Sequence, residues 1–364
     1  MDSILTNINN VIVTSIEIKP LTIPLPKAFS NHLRAINKVE GLLCLIHTNV
    51  GIKGQGLVYG LGKIAHEVAV NCIDHLIPRL INKCIYTPKQ INTLLLDANL
   101  PSSFELNNVI AAIDIAIWDI YLKEKNIPLH KIFSSERTHV PVYDTAGWLS
   151  LSDQELINTC QNNLMHGINA FKLRLGHEND RERVALLRAT MGEAFTLMVD
   201  ANQRFNVEEA INIIDDLLEF NLTWIEEPVG QNLNDLKHVA NQSSIPIAVG
   251  ENIKCKNTFL EICQNKLANY LQPDIRSCMG LTGFIEVCEL TQEYAIPLCS
   301  HLMQELSSSV IAGYSNGYWV EYLDLISPDF FTHDFSIKNG KITLPHTPGT
   351  GVELTHEAMQ RFAM

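Results

Sequence analysis

No apolar run in the 364-residue sequence approaches the length of about 20 residues that a membrane-spanning helix requires. The first ten residues, MDSILTNINN, lack the basic-then-apolar order of a signal peptide. Positive charge is also scarce, since 27 lysines and arginines stand against 40 acidic residues, giving a net charge of −13 and a pI near 5.4. We therefore expect neither nucleic acid nor an anionic membrane as a partner.

Cysteine pairs at the spacing of metal or redox motifs are absent as well. The nine cysteines are scattered along the sequence without a C-x-x-C pair. This pattern predicts reduced, mostly buried thiols in a cytoplasmic protein. A hydrophobic content of 46% and a mean hydropathy of +0.06 are typical of a compact enzyme. The length allows two domains, or one barrel with a smaller companion.

A repeating strand–helix pattern begins at Val140. Eight apolar, strand-like runs follow one another, and most of the intervals contain an amphipathic helix pattern. The runs end near Thr145, Leu175, Asn202, Pro228, Asn252, Ile275, Leu302 and Asp324. Eight such units predict a (β/α)8 TIM-type barrel, whose catalytic groups lie at the C-terminal ends of the strands. The alternative, an open doubly wound sheet, would need a glycine-rich phosphate turn after its first strand, and none is present.

The repeating strand–helix pattern is absent from the sequence before and after the barrel region. The first 60 residues contain alternating and apolar runs that predict an antiparallel meander, and three helical patterns follow at 64–83, 88–97 and 107–126. Near the other end, FSIKNGKITLP predicts a hairpin around Asn339-Gly340. We therefore predict an α+β capping domain over 1–138, a barrel over 139–326, and a C-terminal segment over 327–364 that returns to the capping domain.

Three acidic residues end three successive strand-like runs. Asp200 lies in LMVDAN, Glu226 in TWIEEP and Glu251 in IAVGEN, at a spacing of about 25 residues. Adjacent parallel strands would bring the carboxylates close together, where they repel one another unless a hard cation lies among their oxygens. Mg²⁺ fits such a site best. The alternative is that each acid only begins a loop or caps a helix, but three acids at one spacing favour the metal.

Other polar residues occur at the remaining strand ends. The second strand carries Lys172 and Arg174 two positions apart, so their side chains share one face. Further candidates are Asn202 at the third strand, Asp274 at the sixth, His301 at the seventh and Glu321 at the eighth. An aspartate on the strand beside a histidine predicts a hydrogen bond between Asp274 and His301, which would fix the tautomer of the imidazole and raise its basicity.

Together these motifs resemble the mandelate racemase branch of the enolase superfamily, within the mandelate racemase/muconate lactonizing enzyme family. The resemblance covers nearly the whole chain. AAIDIAIWDIYLKEKNIPLHKI is similar to the family's helix before the barrel, and VDAN, WIEEP and GEN are similar to its three metal-ligand strands. QPDIRSCMGLTG, SHLMQELS and YWVEYLD match its Asp, His and Glu positions. The resemblance implies a capped barrel in which Mg²⁺ holds a substrate carboxylate, in a symmetric homo-oligomer.

The resemblance also implies a reaction, namely abstraction of the proton α to a carboxylate to give an enolate. In this scheme Lys172 supplies positive charge, and a protonated Glu321 donates a hydrogen bond to the carboxylate. His301, oriented by Asp274, is the candidate general base. The alternative for Glu321 and Asp274 is that they are ordinary loop acids.

Arg174 departs from the family pattern, which has a second lysine base at this position (K-x-K instead of K-x-R). Arginine has a pKa above about 12, compared with about 10.4 for lysine, so it is a poor base. Racemisation requires an acid–base group on each face of the α-carbon. We therefore expect dehydration of a sugar acid, for which one base suffices. The alternatives are a racemase or epimerase of an α-hydroxy acid such as mandelate, and a non-catalytic binding protein on the same fold.

A polar segment of the first domain, PLPKAFSNHLRAINK, is the predicted lid of the site. Its side chains Lys27, Asn31, His32 and Arg34 are hydrogen-bond donors suited to a hydroxylated acid. A solvated hairpin surface is the alternative for this segment. The predicted substrate-binding residues are His32, Arg34, Asn202 and Tyr143, with Tyr59 and Trp148 as further candidates for the pocket lining.

Overall fold

The structure, a computed structural model, describes residues 5–30, 35–61, 64–98, 100–133 and 135–363. The predicted lid residues Asn31, His32 and Arg34 lie outside the described residues, as does the side chain of Lys27. In the described ranges we find no helix with both the length and the apolarity of a membrane span.

Three antiparallel strands and three helices form the N-terminal domain. β1 pairs with β2, and β2 pairs with β3, so the predicted meander is confirmed. The alternating and apolar runs of these strands place one face against the helices that follow. The elements are β1 (Val13–Ser30), β2 (Ala35–Thr48), β3 (Lys53–Gly60), α1 (His66–Leu80), α2 (Pro88–Leu96) and α3 (Phe104–Glu124).

Eight parallel strands of the described chain close into a barrel, as predicted. The strand order follows the sequence from β4 to β11, and β11 pairs back with β4 at Val320↔Val142. The strands are β4 (His139–Gly147), β5 (Ala170–Arg174), β6 (Thr196–Asp200), β7 (Ile225–Glu226), β8 (Ile247–Val249), β9 (Tyr270–Leu271), β10 (Leu298–Cys299) and β11 (Gly317–Tyr322). The helices are α4 (Asp153–Met165), α5 (Asp180–Met191), α6 (Val207–Leu217), α7 (Leu233–Ala240), α8 (Lys256–Asn265), α9 (Leu281–Glu293) and α10 (Gln304–Ile311).

The barrel interior is filled just below the strand ends. Ala170, Met198 and Trp224 each lie two positions before a strand-end polar residue, so they share its inward face one layer lower. The indole of Trp224 packs edge-on against the ring of Tyr143, with the ring centroids 5.4 Å apart. This apolar layer forms a dry floor beneath the polar residues of the barrel mouth.

Helix α3 connects the N-terminal domain to the barrel. Its side chains are buried from Leu106 to Leu122, as its apolar circumference predicts. On one side it lies so close to β3 that a Cβ added at Gly56 would collide with the carbonyl of Ala112. On the other side it packs against α9, where Trp118 Nε1 donates a hydrogen bond to Thr282 Oγ1 at 2.9 Å. The capping domain is therefore fixed to the barrel through a rigid helix.

The C-terminal tail joins the barrel to the N-terminal domain. Its strand β12 (Lys341–Thr343) pairs antiparallel with the start of β4, and its helix α11 (His356–Phe362) contacts β1. The predicted turn at Asn339-Gly340 is present and is closed by an antiparallel bridge between Lys338 and Lys341. Beyond this bridge the hairpin is not extended, because β12 pairs with β4. Edge pairing with the longer strand satisfies more backbone groups.

We expect Thr282→Val to loosen the junction between α3 and α9. Thr282 Oγ1 donates to the buried carboxylate of Asp114 at 2.6 Å, so the substitution leaves buried polar atoms without partners. The free energy of unfolding in urea should fall by about 1–3 kcal/mol. Thr93→Val is the matched control, because that exposed hydroxyl bonds only to a carbonyl of its own helix, and it should change stability by less than about 0.5 kcal/mol. Equal effects of the two substitutions would contradict the predicted role of Thr282.

Candidate active site and magnesium centre

Three carboxylates converge at the C-terminal mouth of the barrel. Asp200 and Glu226 are the last residues of β6 and β7, and Glu251 follows β8 after a glycine turn. One oxygen from each of the three side chains lies within 4.8 Å of the others, and this is the one such acidic cluster among the described residues. Three oxygen donors at neighbouring strand ends form the kind of ligand set that Mg²⁺ prefers, with water or substrate oxygens completing its shell. The structure therefore brings the predicted metal ligands together.

Lys172 is the cation that balances this cluster. Its Nζ lies 2.9 Å from Glu226 Oε1, 2.9 Å from Glu321 Oε1 and 3.5 Å from Asp200 Oδ2. Burial alone would lower the pKa of Lys172, but the surrounding carboxylates raise it well above its usual value. Lys172 is therefore a permanent cation within the site, which suits the predicted role of stabilising negative charge on a substrate.

One lysine does not neutralise all of the buried acids. Burial raises the pKa of Glu226 to about 8, and the neighbouring carboxylates of Asp200 and Glu251 add to the effect although Lys172 opposes it. The pKa of Asp200 is raised by burial as well. A divalent cation among these oxygens favours their ionised forms and removes the repulsion between them. The electrostatics of the donor set therefore fit Mg²⁺.

The predicted hydrogen bond between Asp274 and His301 is present. His301 Nδ1 lies 2.7 Å from Asp274 Oδ2, and the guanidinium of Arg276 donates to the same oxygen at 2.8 Å. Burial favours the neutral form of Asp274, but Arg276 and His301 together hold its pKa below the usual range. The carboxylate therefore accepts from Nδ1, so that Nε2 faces the metal ligands, 3.0 Å from Glu251 Oε2. Burial lowers the pKa of His301, but Glu251, Glu321 and Asp274 together raise it well above its usual value, so the imidazole is here a cation paired with Glu251. A metal cation bound by the three acids would replace His301 as the partner of Glu251 and leave Nε2 oriented as a general base requires.

The state of Glu321 corrects the expectation that this acid is protonated. Its Oε1 contacts Lys172, and its Oε2 accepts a hydrogen bond from the backbone amide of Leu302 at 2.8 Å. Burial raises the pKa of Glu321, but Lys172 and His301 outweigh burial and lower it. Both oxygens therefore act as acceptors, and Glu321 serves here as a counter-ion to Lys172.

Arg174 is held in place by an aromatic stack. Its guanidinium lies 3.6 Å from the centre of the Trp148 ring, and it donates to the carbonyl of Thr145. Trp148 in turn stacks on Phe29 of the N-terminal domain, with the centroids 3.8 Å apart. An aromatic face and a carbonyl acceptor both stabilise a cation. The environment therefore favours a charged, donating Arg174 and not a base.

Tyr143 was predicted to bind the substrate, but in the structure it lies beneath the carboxylates. Its side chain is fully buried, and its hydroxyl accepts from Gln272 Nε2 at 3.1 Å and lies 3.4 Å from the carbonyl of Ser300. The same Gln272 amide donates to Glu226 Oε2 at 2.8 Å. Tyr143 and Gln272 thus orient the predicted metal ligand Glu226 from below.

Asn202 and Tyr59 are also engaged within the protein. Asn202 donates to both oxygens of Asp200, through its backbone N–H at 2.8 Å and its side-chain amide at 2.9 Å. The buried hydroxyl of Tyr59 donates to Glu305 Oε2 at 2.5 Å and joins the capping domain to α10. Asn202 therefore orients Asp200, a predicted metal ligand, and Tyr59 belongs to the domain junction.

Three site residues were missed by the sequence reasoning. Gln272 precedes Asp274 by two positions at the end of β9, and strand alternation was the signal that could have identified it. Arg276 lies in the turn after Asp274, where no periodic signal indicates its contact with that carboxylate. The third is Glu227, the second acid of WIEEP, which is nearly fully buried beside the metal ligands. A doubled acid at a strand end indicated that two carboxylates, and not one, lie in this region.

We expect Mg²⁺ to stabilise the protein against thermal unfolding, and Asp200→Asn to abolish the effect. Binding to the folded state at 100 times the dissociation constant contributes about 2.7 kcal/mol. Replacing Asp200 removes one of three anionic ligands and should eliminate the shift in melting temperature between EDTA and excess Mg²⁺, as followed by calorimetry. Asp235→Asn in α7 is the control and should retain the full shift. An unchanged shift in Asp200→Asn would show that the metal does not bind at these oxygens.

Two family models match the chain. The model described as "Enolase C-terminal domain-like" matches residues 155–358, and the model of the mandelate racemase/muconate lactonizing enzyme N-terminal domain matches residues 16–133. Among curated proteins, the chain is 28% identical to an L-talarate/galactarate dehydratase of Salmonella typhimurium, over 94% of this chain and 88% of the relative.

Solved structures agree with these matches over nearly the whole length. A racemase from Streptomyces coelicolor A3(2) with bound magnesium superposes with a TM-score of 0.90 at 26% identity, covering 97% of this chain and 100% of the other. An L-talarate dehydratase from Polaromonas sp. JS666, complexed with Mg and L-glucarate, superposes with a TM-score of 0.88 at 26% identity, covering 97% and 98%. The chain belongs to the mandelate racemase/muconate lactonizing enzyme family of the enolase superfamily.

Proposed function

We propose that the protein is a Mg²⁺-dependent dehydratase of a sugar acid. The observation that carries the proposal is the asymmetry of the site: an oriented imidazole, His301, faces the carboxylate cluster, whereas Arg174 is stacked and held as a cation. The site therefore offers one good base. The likeness to an L-talarate/galactarate dehydratase, and to a structure holding L-glucarate, supports a hydroxylated carboxylate as the substrate.

The protein's own groups suffice for the proton transfers of this reaction. Asp200, Glu226 and Glu251 would hold Mg²⁺, which supplies Lewis acidity toward the substrate carboxylate. Lys172 adds fixed positive charge where the enolate forms. His301 Nε2 removes the α-proton, and the electrons of that C–H bond move toward the carboxylate to give the enolate. When the enolate collapses, these electrons form the double bond between the α- and β-carbons as the β C–O bond breaks.

His301 also completes the reaction. The proton on Nε2 passes to the departing β-hydroxyl, which leaves as water, and the remaining enol tautomerises to a 2-keto acid. The imidazole is thereby returned to its neutral form, because Asp274 holds Nδ1–H throughout. In this scheme Arg174 binds a carboxylate or hydroxyl of the substrate. His32 and Arg34, from the predicted lid, remain proposed substrate contacts.

We also propose that the protein works in the cytoplasm as a homo-oligomer, and that its ligand is a small carboxylate. The acidic composition and the nine free cysteines support a reducing compartment. Light scattering of the purified protein tests the oligomeric state directly, and a monomer at micromolar concentration would contradict that part of the proposal.

The test of the activity is a screen of mono- and diacid sugars in the presence of Mg²⁺, with detection of 2-keto products. For an active acid, His301→Asn should lower turnover roughly 10²–10⁴-fold, because the acid–base group is lost. His238→Asn, on the exposed face of α7, is the matched control and should keep full turnover. Saturable Mg²⁺ binding without any product would favour the non-catalytic alternative.

We expect the Arg174→Lys variant to exchange the α-proton of the substrate with solvent, a reaction that the native protein lacks. A lysine at this position supplies a titratable base on a second side of the substrate, as in the K-x-K pattern of the family. In D₂O the variant should incorporate deuterium at the α-carbon with inversion of the substrate, measured by NMR. The native protein should give the 2-keto product without inverted substrate. Inversion by the native protein, without a keto product, would establish the racemase alternative.

A further inference from the structure

A second layer of polar residues lies directly behind the metal ligands. The loops that follow β6, β7 and β8 each carry one such residue, namely Gln203, Glu227 and Asn252. Glu227 is the centre of the group: its Oε2 accepts from Gln203 Nε2 at 3.0 Å and from Asn252 Nδ2 at 2.8 Å. With 4% of its surface exposed, Glu227 is a buried carboxylate that joins three successive loops. We refer to these three residues as the loop clamp.

The loop clamp reaches the metal ligands through direct contacts. The Asn252 amide that donates to Glu227 also donates to Glu251 Oε1 at 3.0 Å. On the other side, the backbone N–H of Gln203 donates to the carbonyl of Glu227 at 2.8 Å, so these two loops are joined twice. Glu227 is itself the residue after Glu226. A displacement of the Glu227 carboxylate would therefore be transmitted to all three ligand-bearing loops.

The backbone indicates that these contacts hold the loops in a demanding conformation. Gln203 has φ +63° and Glu227 has φ +41°, both in the left-handed region that favours glycine. Residues other than glycine stay there only where their surroundings over-determine them, and such positions cluster at functional sites. The hydrogen bonds of the loop clamp are among the contacts that hold the two residues, together with the backbone bond from Glu227 N–H to the carbonyl of Ala248.

From these contacts we infer that Glu227 is a positioning residue for Mg²⁺. It does not belong to the three-carboxylate cluster, but by bridging Gln203 and Asn252 it sets the relative positions of the loops that present the ligand oxygens. A carboxylate buried next to three others is unfavourable in the metal-free protein, and it becomes favourable when a cation is bound. The inference rests on the magnesium site and not on which acid is the substrate.

The test is calorimetric titration of Mg²⁺ into the full-length protein and its variants. We expect Glu227→Gln and Asn252→Ala each to raise the dissociation constant about 10–100-fold, the effect found when partners of metal ligands are removed. Glutamine keeps one oxygen that can accept both hydrogen bonds but loses the charge that strengthens them. The double variant should therefore bind Mg²⁺ about as weakly as the worse single variant, because both substitutions weaken the same bridge. The melting temperature in EDTA should stay the same or rise, because Glu227→Gln replaces a buried acid that lies next to three others with a neutral side chain of the same shape.

Controls separate positioning from charge and from misfolding. Gln203→Ala removes a donor to Glu227 without changing any charge, and it should also weaken Mg²⁺ binding. Gln231→Ala makes the same substitution in the exposed loop after Glu227 and should leave the dissociation constant unchanged. In loop-clamp variants, excess Mg²⁺ should restore turnover, whereas Asp200→Asn should stay inactive.

Two results would overturn the inference. One is a dissociation constant within about twofold of native in Glu227→Gln. The other is weakening in Glu227→Gln alone, with Asn252→Ala and Gln203→Ala unaffected, which would reduce the role of Glu227 to its charge. Because the titration contains no substrate, its outcome does not depend on whether the proposed dehydration is correct.

Discussion

The crowding of buried carboxylates at the barrel mouth is the constraint on which the site depends. Asp200, Glu226 and Glu251 lie within 4.8 Å of one another, and Lys172 is the one cation in direct contact with two of them among the described residues. Such an arrangement costs free energy unless more positive charge is supplied. The fold tolerates the cost because the floor of the barrel and the capping domain keep the groups in place. Because the three carboxylates repel one another, a divalent ion bound among them stabilises the site, and this is the physical basis of its affinity.

The same constraint explains how the acid–base groups are distributed. Asp274 fixes His301 so that Nε2 faces the cluster, and Arg276 keeps Asp274 ionised. Arg174 is stabilised as a cation by Trp148, which itself stacks on the N-terminal domain. In a racemase, the positions of His301 and Arg174 would both exchange protons with the substrate. In this protein the two side chains therefore differ in their chemistry. In the proposed mechanism His301 accepts and returns a proton, and Arg174 binds negative charge.

Much of the fold was predictable from the sequence because its signals are local and periodic. The eight strand ends, the apolar helix α3 and the three acids all follow from spacing along the chain. The details that were not predictable depend on contacts between distant segments. The lowered pKa of Glu321 depends on its contact with Lys172 of another strand, and the burial of Tyr143 depends on how β4 packs against the rest of the barrel. The loop clamp was missed because Glu227 shares its motif with Glu226, and a motif does not show that both acids are buried.

A crystal structure of the protein grown with Mg²⁺ tests the central claim most directly. The account predicts octahedral density at the barrel mouth, with one oxygen each from Asp200, Glu226 and Glu251 at about 2.0–2.1 Å from the ion and the remaining positions filled by water. His301 Nε2 should face the open side of that shell. A structure in which the ion is absent at saturating Mg²⁺, with Lys172 still bridging Glu226 and Glu321 and solvent between the other acids, would contradict it.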